Sequence, residues 1–383
     1  MKKILILHNR YQNIGGEDIA VDHEIELLKN HYEVETIFFD NKITNYFSQL
    51  VYFLLNKNSK STKSLEKKIL EFKPDTVYIH NTWFKASLGI FDLLRNLEIP
   101  TVIKIHNFRY YCTRSFLSKT HLDNNDFCPA CGYKNRSNKK FNRYFEESFI
   151  KSIFVIIYGK KYFKLLENKK FKLLVLTDFH KHFIKKLGDF SNNVFVQPNP
   201  IMLPSVENSA EKKNYFIYAG RISKEKGVDK LVESFISANL SNTFLKIVGE
   251  GPLLNDLIRK YKHKESIEFL GLLPNEKVLS LISESIAVIT ATRLYEGQPT
   301  FLCEASLLGV PSVFPKTGGI DEFFPNNYML SFKQFDYEDL KNKLQLLDSN
   351  DIRKEIGREN KEFIFKYLDK NKLIDRFNVI LDE

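Results

Sequence analysis

Short apolar runs recur along the chain, each followed by a polar turn and then a stretch of helical periodicity. The runs fall at 3–7, 33–39, 76–79, 101–105 and 173–176, with a second series at 215–219, 244–248, 267–270, 286–290 and 312–314. Most are rich in Val, Ile, Leu and Phe and do not alternate with polar residues. A continuous apolar run suits a strand buried on both faces, as in a parallel sheet covered by helices. Strands alternating with helices make βαβ units. Two such series predict an α/β chain of two doubly wound, Rossmann-like domains, with ligands at the carboxyl ends of the strands.

The break between the series lies at Gln197-Pro-Asn-Pro200, Pro204 and the polar stretch Glu207–Asn214. Prolines so placed suit neither a helix interior nor a central strand, so this is a linker. The expected division is 1–200 for the first domain and 201–365 for the second. A C-terminal helix, 366–383, could pack back toward the first.

Length and composition narrow the classes. At 383 residues the chain exceeds what one core of about 100–200 residues serves. Its 43% hydrophobic and 14% aromatic content excludes a disordered chain, which could not offset its ordering entropy. No apolar run approaches the ~20 residues that cross a bilayer, and Ile4–Leu7 is too short for a signal-peptide core. The chain is therefore expected in the cytoplasm.

Charge is uneven. The whole chain carries +10, and residues 131–190 alone hold 15 Lys/Arg against 5 Asp/Glu. Aromatics interleave there, among them Phe141, Tyr144, Phe154, Tyr158, Tyr162 and Phe163. The segment fits contact with an anionic membrane surface, a solvated helix face, or a helix with a buried stripe. The cysteines are Cys112, Cys128, Cys131 and Cys303, too few to staple the fold, so thiols are expected. Cys112, Cys128 and Cys131 with His106 or His121 could make a zinc site, but the second paired half is missing. No metal is therefore assigned.

Three turns carry candidate chemistry. Gly15-Gly16 opens a predicted helix, Asp18–Lys29, where backbone amides can approach an anion. The complete dinucleotide fingerprint is absent, which argues against a nicotinamide enzyme. After the strand Tyr215–Ala219 come Arg221 and Lys226, a planar fork and a point charge suited to a diphosphate held without a metal. After the strand Ile286–Thr290 come Glu296, Gly297, Gln298, Pro299, Thr300 and, two turns into a helix, Glu304. Carboxylates are strong acceptors and suit sugar or ribose hydroxyls, while free amides at the helix start suit phosphate or hydroxyl. Glu304 lies among apolar neighbours and needs a partner, since a lone buried charge is costly.

Taken in order, these pieces resemble the retaining glycosyltransferases of family 4, which have the GT-B fold of two Rossmann-like domains facing each other across a cleft. The matching residues are Gly15-Gly16-Glu17, Gly220-Arg221 with Glu225-Lys226-Gly227, Val248-Gly-Glu-Gly-Pro252 and Ile267-Glu-Phe-Leu-Gly271. They continue with Glu296 and Glu304, with seven residues between them, and Gly309-Val-Pro-Ser-Val313 with Gly318-Gly319. The resemblance spans nearly the whole chain. It implies transfer of a sugar from a nucleotide-sugar, a UDP- or GDP-sugar, to an acceptor hydroxyl, with retained configuration, no divalent metal and no other cofactor.

In that scheme Arg221 and Lys226 neutralise the leaving diphosphate, and Gly16 gives its amide to it. Glu296 and the amides after Gly297 bind the donor sugar, Glu304 binds the ribose, and the backbone around Leu270–Leu272 faces the base. His106, ending the strand Thr101–Ile105, stands where the family has a histidine near donor sugar and acceptor. Many relatives read Gly-Phe-Gly after the first glutamate, whereas this chain has Gly297-Gln298-Pro299-Thr300, which leaves the donor sugar open. The resemblance and the basic segment point to a glycan or lipid-linked acceptor in surface polysaccharide synthesis, such as capsule or lipopolysaccharide, at the cytoplasmic face of the inner membrane. The alternatives are a nucleotide-sugar epimerase or a phosphorylase, a silent partner subunit, and a basic nucleic-acid-binding protein. The last lacks any recognition motif, so no nucleic acid is expected as partner.

Overall fold

The structure is a computed structural model, and it describes residues 1–10, 15–41, 51–52, 54–108, 128–130, 149–190, 193–203 and 212–382. They form two compact units, Met1–Pro200 with Asp369–Glu383, and Ile201–Leu368.

The first unit runs β1 (Lys3–Arg10), α1 (Gly16–Lys29), β2 (Glu33–Asp40), α2 (Ser59–Phe72), β3 (Thr76–Asn81) and α3 (Gly89–Asn96). It continues with β4 (Thr101–Ile105), α4 (Phe149–Leu166), β5 (Phe171–Val175), α5 (Asp178–Lys185) and β6 (Val194–Val196). Its sheet is parallel, in the order β2-β1-β3-β4-β5-β6. Every residue of β3 and β4 is buried, as expected of central strands covered on both faces. The strand order reverses between β1 and β3, which opens a crevice at their carboxyl ends.

The second unit runs β7 (Tyr215–Ala219), α6 (Val228–Ala238), β8 (Phe244–Val248), α7 (Leu254–Tyr261), β9 (Ile267–Gly271) and α8 (Asn275–Glu284). Then come β10 (Ala287–Ile289), α9 (Thr300–Leu307), β11 (Ser312–Lys316), β12 (Ser331–Lys333), α10 (Tyr337–Leu346) and α11 (Asn350–Tyr367). Its sheet, also parallel, has the order β12-β11-β10-β7-β8-β9. Its reversal point lies between β7 and β10. The last helix, α12 (Lys370–Asp382), belongs to the first unit. There Leu373 O accepts from Gln197 Nε2 at 3.0 Å and Ile380 O accepts from Lys172 Nζ at 2.7 Å.

Two strands have no counterpart among the apolar runs, β6 and β12. Each is three residues long and lies at a sheet edge, too short for a run of its own. Beneath the first sheet's crevice lies a buried charge network. Lys104 Nζ of β4 donates to both carboxylate oxygens of Glu24 in α1, at 2.9 and 3.0 Å, and Tyr78 OH donates to Glu24 Oε1 at 2.7 Å. Burial pulls the Lys104 ammonium below its ordinary range, and the adjoining Glu24 opposes that.

In the basic segment, Tyr158, Tyr162 and Phe163 of α4 are buried. The buried-stripe reading therefore holds for these three, and they are not offered to a membrane; Phe141 and Tyr144 lie outside the described residues. Among the described residues no helix is long and apolar enough to cross a membrane. Cys128 and Cys303 are buried thiols, whereas Cys112, Cys131 and His121 lie outside the described residues, so the zinc arrangement is not seen.

Candidate functional site

Each unit gathers polar side chains at the carboxyl ends of its strands. In the first unit β1 leads to Gly15 and Gly16, and α1 begins at Gly16. The turn is held from below. Asp18 Oδ2 accepts from Gly15 N at 2.9 Å, and Asp18 Oδ1 lies 2.9 Å from His8 Nε2 of β1. His8 and Asp18 side chains are fully buried. Gly15 and Gly16 thus sit on a rigid support at a helix N-terminus whose dipole favours an anion.

His106 follows β4 and meets a second histidine. His80, next to last in β3, places Nδ1 3.0 Å from His106 Nε2, with the rings stacked at 5.3 Å between centroids. Burial holds both imidazoles well below the ordinary histidine range, and the positive charge of Lys104 adds to this. Both rings are therefore neutral near pH 7. The bond engages Nε2 of His106 and leaves Nδ1 for a ligand. A narrow pocket of about 10 Å³, lined in part by Glu17, His80, Asn81, Thr82, His106 and Tyr162, opens here. It brings the glycine turn's helix and the histidine pair to one place.

In the second unit two loops meet at the reversal point. One follows β7 and carries Arg221 and Lys226; the other follows β10 and carries Glu296. Lys226 Nζ donates to Glu296 Oε1 at 2.5 Å, and Thr292 Oγ1 donates to the same oxygen at 2.9 Å. Lys226 is 32% and Glu296 24% exposed, so both charges remain open to a ligand. Arg293 ties the loops again, through Asp229 Oδ2 at 3.2 Å and through its own N–H to Glu225 O at 3.0 Å. Arg221 is exposed, and its carbonyl accepts from Tyr218 OH at 2.9 Å.

Two glycines make this closeness possible. Gly227 has φ +67° and passes so near β10's loop that a Cβ would stand 2.0 Å from Ala291 O. Gly318, at φ +62°, would set a Cβ 2.4 Å from Glu296 O. Only a residue without a side chain fits either place. Gly319 N then donates to Glu296 O at 2.8 Å, so the glutamate's backbone is fixed from a third loop.

Gln298 and Pro299 lead into α9, which begins at Thr300. Glu304, in the middle of α9, is only 6% exposed. Burial pushes its carboxyl up to about 7, and a hydrogen bond with Asn275 at the start of α8 opposes the rise. Gly297 stands in the loop beside Glu296. Leu272 lies just beyond β9 at the sheet's other edge, 72% exposed, an apolar face at the strand end.

The structure thus joins Lys226 to Glu296 in one hydrogen-bonded cluster and puts His106 near the glycine turn. It keeps Leu272 three strands away from Glu296 across the sheet. Reading the sequence missed His80, Thr292, Asn275 and the His8–Asp18 support. His80 carried a usable signal, because it stands near the carboxyl end of an apolar strand, as His106 does. The others gave none, since Thr292, Asn275, His8 and Asp18 stand in no pattern that marks a partner, whether four residues away, as Glu296 is from Thr292, or ten, as Asp18 is from His8.

Residues 203–363, less than half of the chain, match the family model described as Glycosyl transferases group 1. An uncharacterized glycosyltransferase of Methanocaldococcus jannaschii is 24% identical over 216 residues, covering 55% of this chain and 59% of that protein. The amylovoran biosynthesis glycosyltransferase AmsD of Erwinia amylovora is 29% identical over 175 residues, covering 42% and 48%. The chain thus spans about half the length of the curated relatives it matches. Among solved structures, that of Anabaena HepE in complex with UDP and glucose superposes with a TM-score of 0.68 at 14% identity, covering 100% of both chains. The fold is that of the GT-B glycosyltransferases.

Proposed function

We propose that the chain is a retaining glycosyltransferase of family 4, moving a sugar from a nucleotide-sugar, a UDP- or GDP-sugar, to a hydroxyl of a glycan or lipid-linked acceptor, without a divalent metal. The observation that carries this reading is the Lys226–Glu296 pair at the reversal point of the second sheet, 2.5 Å across two loops. One site there offers a cation for a diphosphate beside a carboxylate for sugar hydroxyls.

As the bond from the anomeric carbon to the diphosphate oxygen breaks, the electron pair goes to that oxygen, the acceptor oxygen bonds the anomeric carbon on the same face, and the acceptor's proton passes to the leaving diphosphate. Arg221 and Lys226 stabilise the growing charge, and a fixed cation is worth most where charge develops. Glu296, held by Thr292 and Gly319, accepts from the donor sugar's hydroxyls, with Gly297, Gln298, Pro299 and Thr300 supplying the wall beside it. Glu304 accepts from the ribose, and Leu272 covers the base. Within the first unit, the amides of Gly15 and Gly16 suit an anion, and His106, steadied by His80, offers Nδ1 to a hydroxyl. The relative named for amylovoran biosynthesis and the basic segment 131–190 support a surface-polysaccharide acceptor at the membrane's cytoplasmic face.

The test is thermal stability with UDP, GDP, ADP and CMP, each with and without EDTA. A ligand at ~100 times its Kd adds roughly 2.7 kcal/mol, enough to see in Tm. One nucleotide should raise Tm, unaffected by EDTA, and Arg221→Ala should lose the rise. No rise with any nucleotide would overturn the reading. The anomeric configuration of the product, read by NMR, then decides retention.

A further inference from the structure

Beyond the donor loops, the ends of β11 and β12 line a pocket of about 470 Å³ that the proposed reaction does not use. Its volume falls in the range of small-molecule sites. Lys316 ends β11 and Lys333 ends β12, and the two are register partners, side by side on adjacent parallel strands. Like charges so placed repel. Lys343 of α10 adds a third ammonium.

The one carboxylate in the lining, Asp339, is already engaged. Its Oδ2 accepts from Lys333 N at 3.1 Å, and its Oδ1 lies 3.7 Å from Lys343. Among the described residues neither Lys316 nor Lys333 has an ion-pair partner within 4 Å. Gln334 Nε2 is buried and has no hydrogen-bond partner among those residues. Phe335, 41% exposed, completes the rim at φ +69°, a strained backbone for a bulky side chain. The lining thus holds three ammoniums against one carboxylate, beside an open aromatic ring, with Asp321 acting on Lys316 from outside it.

We propose that this pocket binds an anionic sugar residue of the acceptor, through its carboxylate or phosphate, with Phe335 against the ring. The proposal rests on the transferase reading and names its acceptor class. The strand order carries the assignment to the acceptor. The phosphate-directed loop follows β7 and the sugar-directed loop follows β10, whereas the pocket follows β11 and β12. At ~4.8 Å per strand its walls lie about 5–10 Å beyond Glu296's strand, on the side away from the phosphate-directed loop.

The experiment is equilibrium titration of the whole chain with trigalacturonate and with neutral maltotriose, at low and high salt, for wild type, Lys333→Met and Lys316→Met. Both lysines are exposed strand ends, so the fold should survive. Trigalacturonate should bind at least ~10-fold tighter than maltotriose, weaken with salt, and lose about tenfold or more in each variant. Competition assigns the anion: stronger displacement by inorganic phosphate than by galacturonate marks a phosphate ligand, and the reverse order a carboxylate. Equal binding of the two trisaccharides, or unchanged binding in Lys333→Met, overturns the proposal. A nucleotide-dependent rise in Tm, equal in wild type and Lys333→Met, separates the two ideas. If that rise persists while trigalacturonate fails to bind, the pocket is refuted and the transferase stands. If no nucleotide raises Tm, the transferase reading falls, and with it the pocket's role as an acceptor site.

Discussion

Between about pH 5.5 and 8 the affinity for a nucleoside diphosphate should follow the ionisation of Glu304. The carboxyl lies in α9, 6% exposed, and burial lifts it from its ordinary 4.5 to about 7. A ribose hydroxyl donates better to the carboxylate than to the acid. The ionised share at pH 8 is about 90% and at pH 5.5 about 3%, so binding through the carboxylate weakens roughly 30-fold over that span, about 2 kcal/mol.

Stability moves the other way. From about pH 4.5 to 7 the folded chain holds a proton that the unfolded chain has released. Folding is thus favoured most at the acid end, and stability falls as pH rises through the window, by about 3 kcal/mol in total. Bound nucleotide should offset part of that fall by supplying the carboxylate a hydroxyl partner. The assay is calorimetric titration at several pH values in two buffers of different ionisation enthalpy, for wild type and Glu304→Gln. The phosphate's own titration is common to both proteins, so their ratio isolates Glu304. Wild type should release a proton on binding near pH 6, and the variant should not. A ratio that stays flat from pH 5.5 to 8 would refute the reasoning.

Four further outcomes are expected. Lys226→Ala removes the cation and leaves Glu296 with Thr292 alone, so turnover should fall about 10²–10³-fold with the melting temperature little changed; near-native initial rates would remove Lys226 from the mechanism. Gly227→Ala puts a methyl 2.0 Å from Ala291 O at φ +67°, and should cost more than ~2 kcal/mol in denaturant unfolding. His80→Ala frees the His106 ring, and kcat should drop about 10–100-fold while the nucleotide-induced shift in Tm stays as in wild type. Glu24→Ala leaves Lys104 buried and unpaired, a loss of about 3–5 kcal/mol, which Glu24→Gln combined with Lys104→Met should largely restore.

Much of the second unit was legible in the residue order. Most of its strands are largely apolar runs, and its candidate site residues follow β7 and β10 within a few positions of the strand ends. Local pattern sufficed there because a buried parallel strand must be apolar throughout and a ligand-binding turn must be polar and rich in glycine. The short edge strands β6 and β12 escaped, since three residues carry no period. The basic stretch 131–190 left a membrane face, a solvated face and a buried stripe equally open, because no local window reveals the core that Tyr158, Tyr162 and Phe163 face.

The chain alone determined the two α/β series and the residue types at each strand end. The tertiary structure decided which of those residues meet. Lys226 and Glu296 are 70 positions apart, His80 and His106 are 26, and Lys104 and Glu24 are 80. Parallel strand order sets such meetings, since a crossover can put any two strands side by side. Lys316 and Lys333 show the same limit: each reads as an ordinary surface cation until the register of β11 and β12 sets them together. Charges act over distance in space, and the sequence records only distance along the chain.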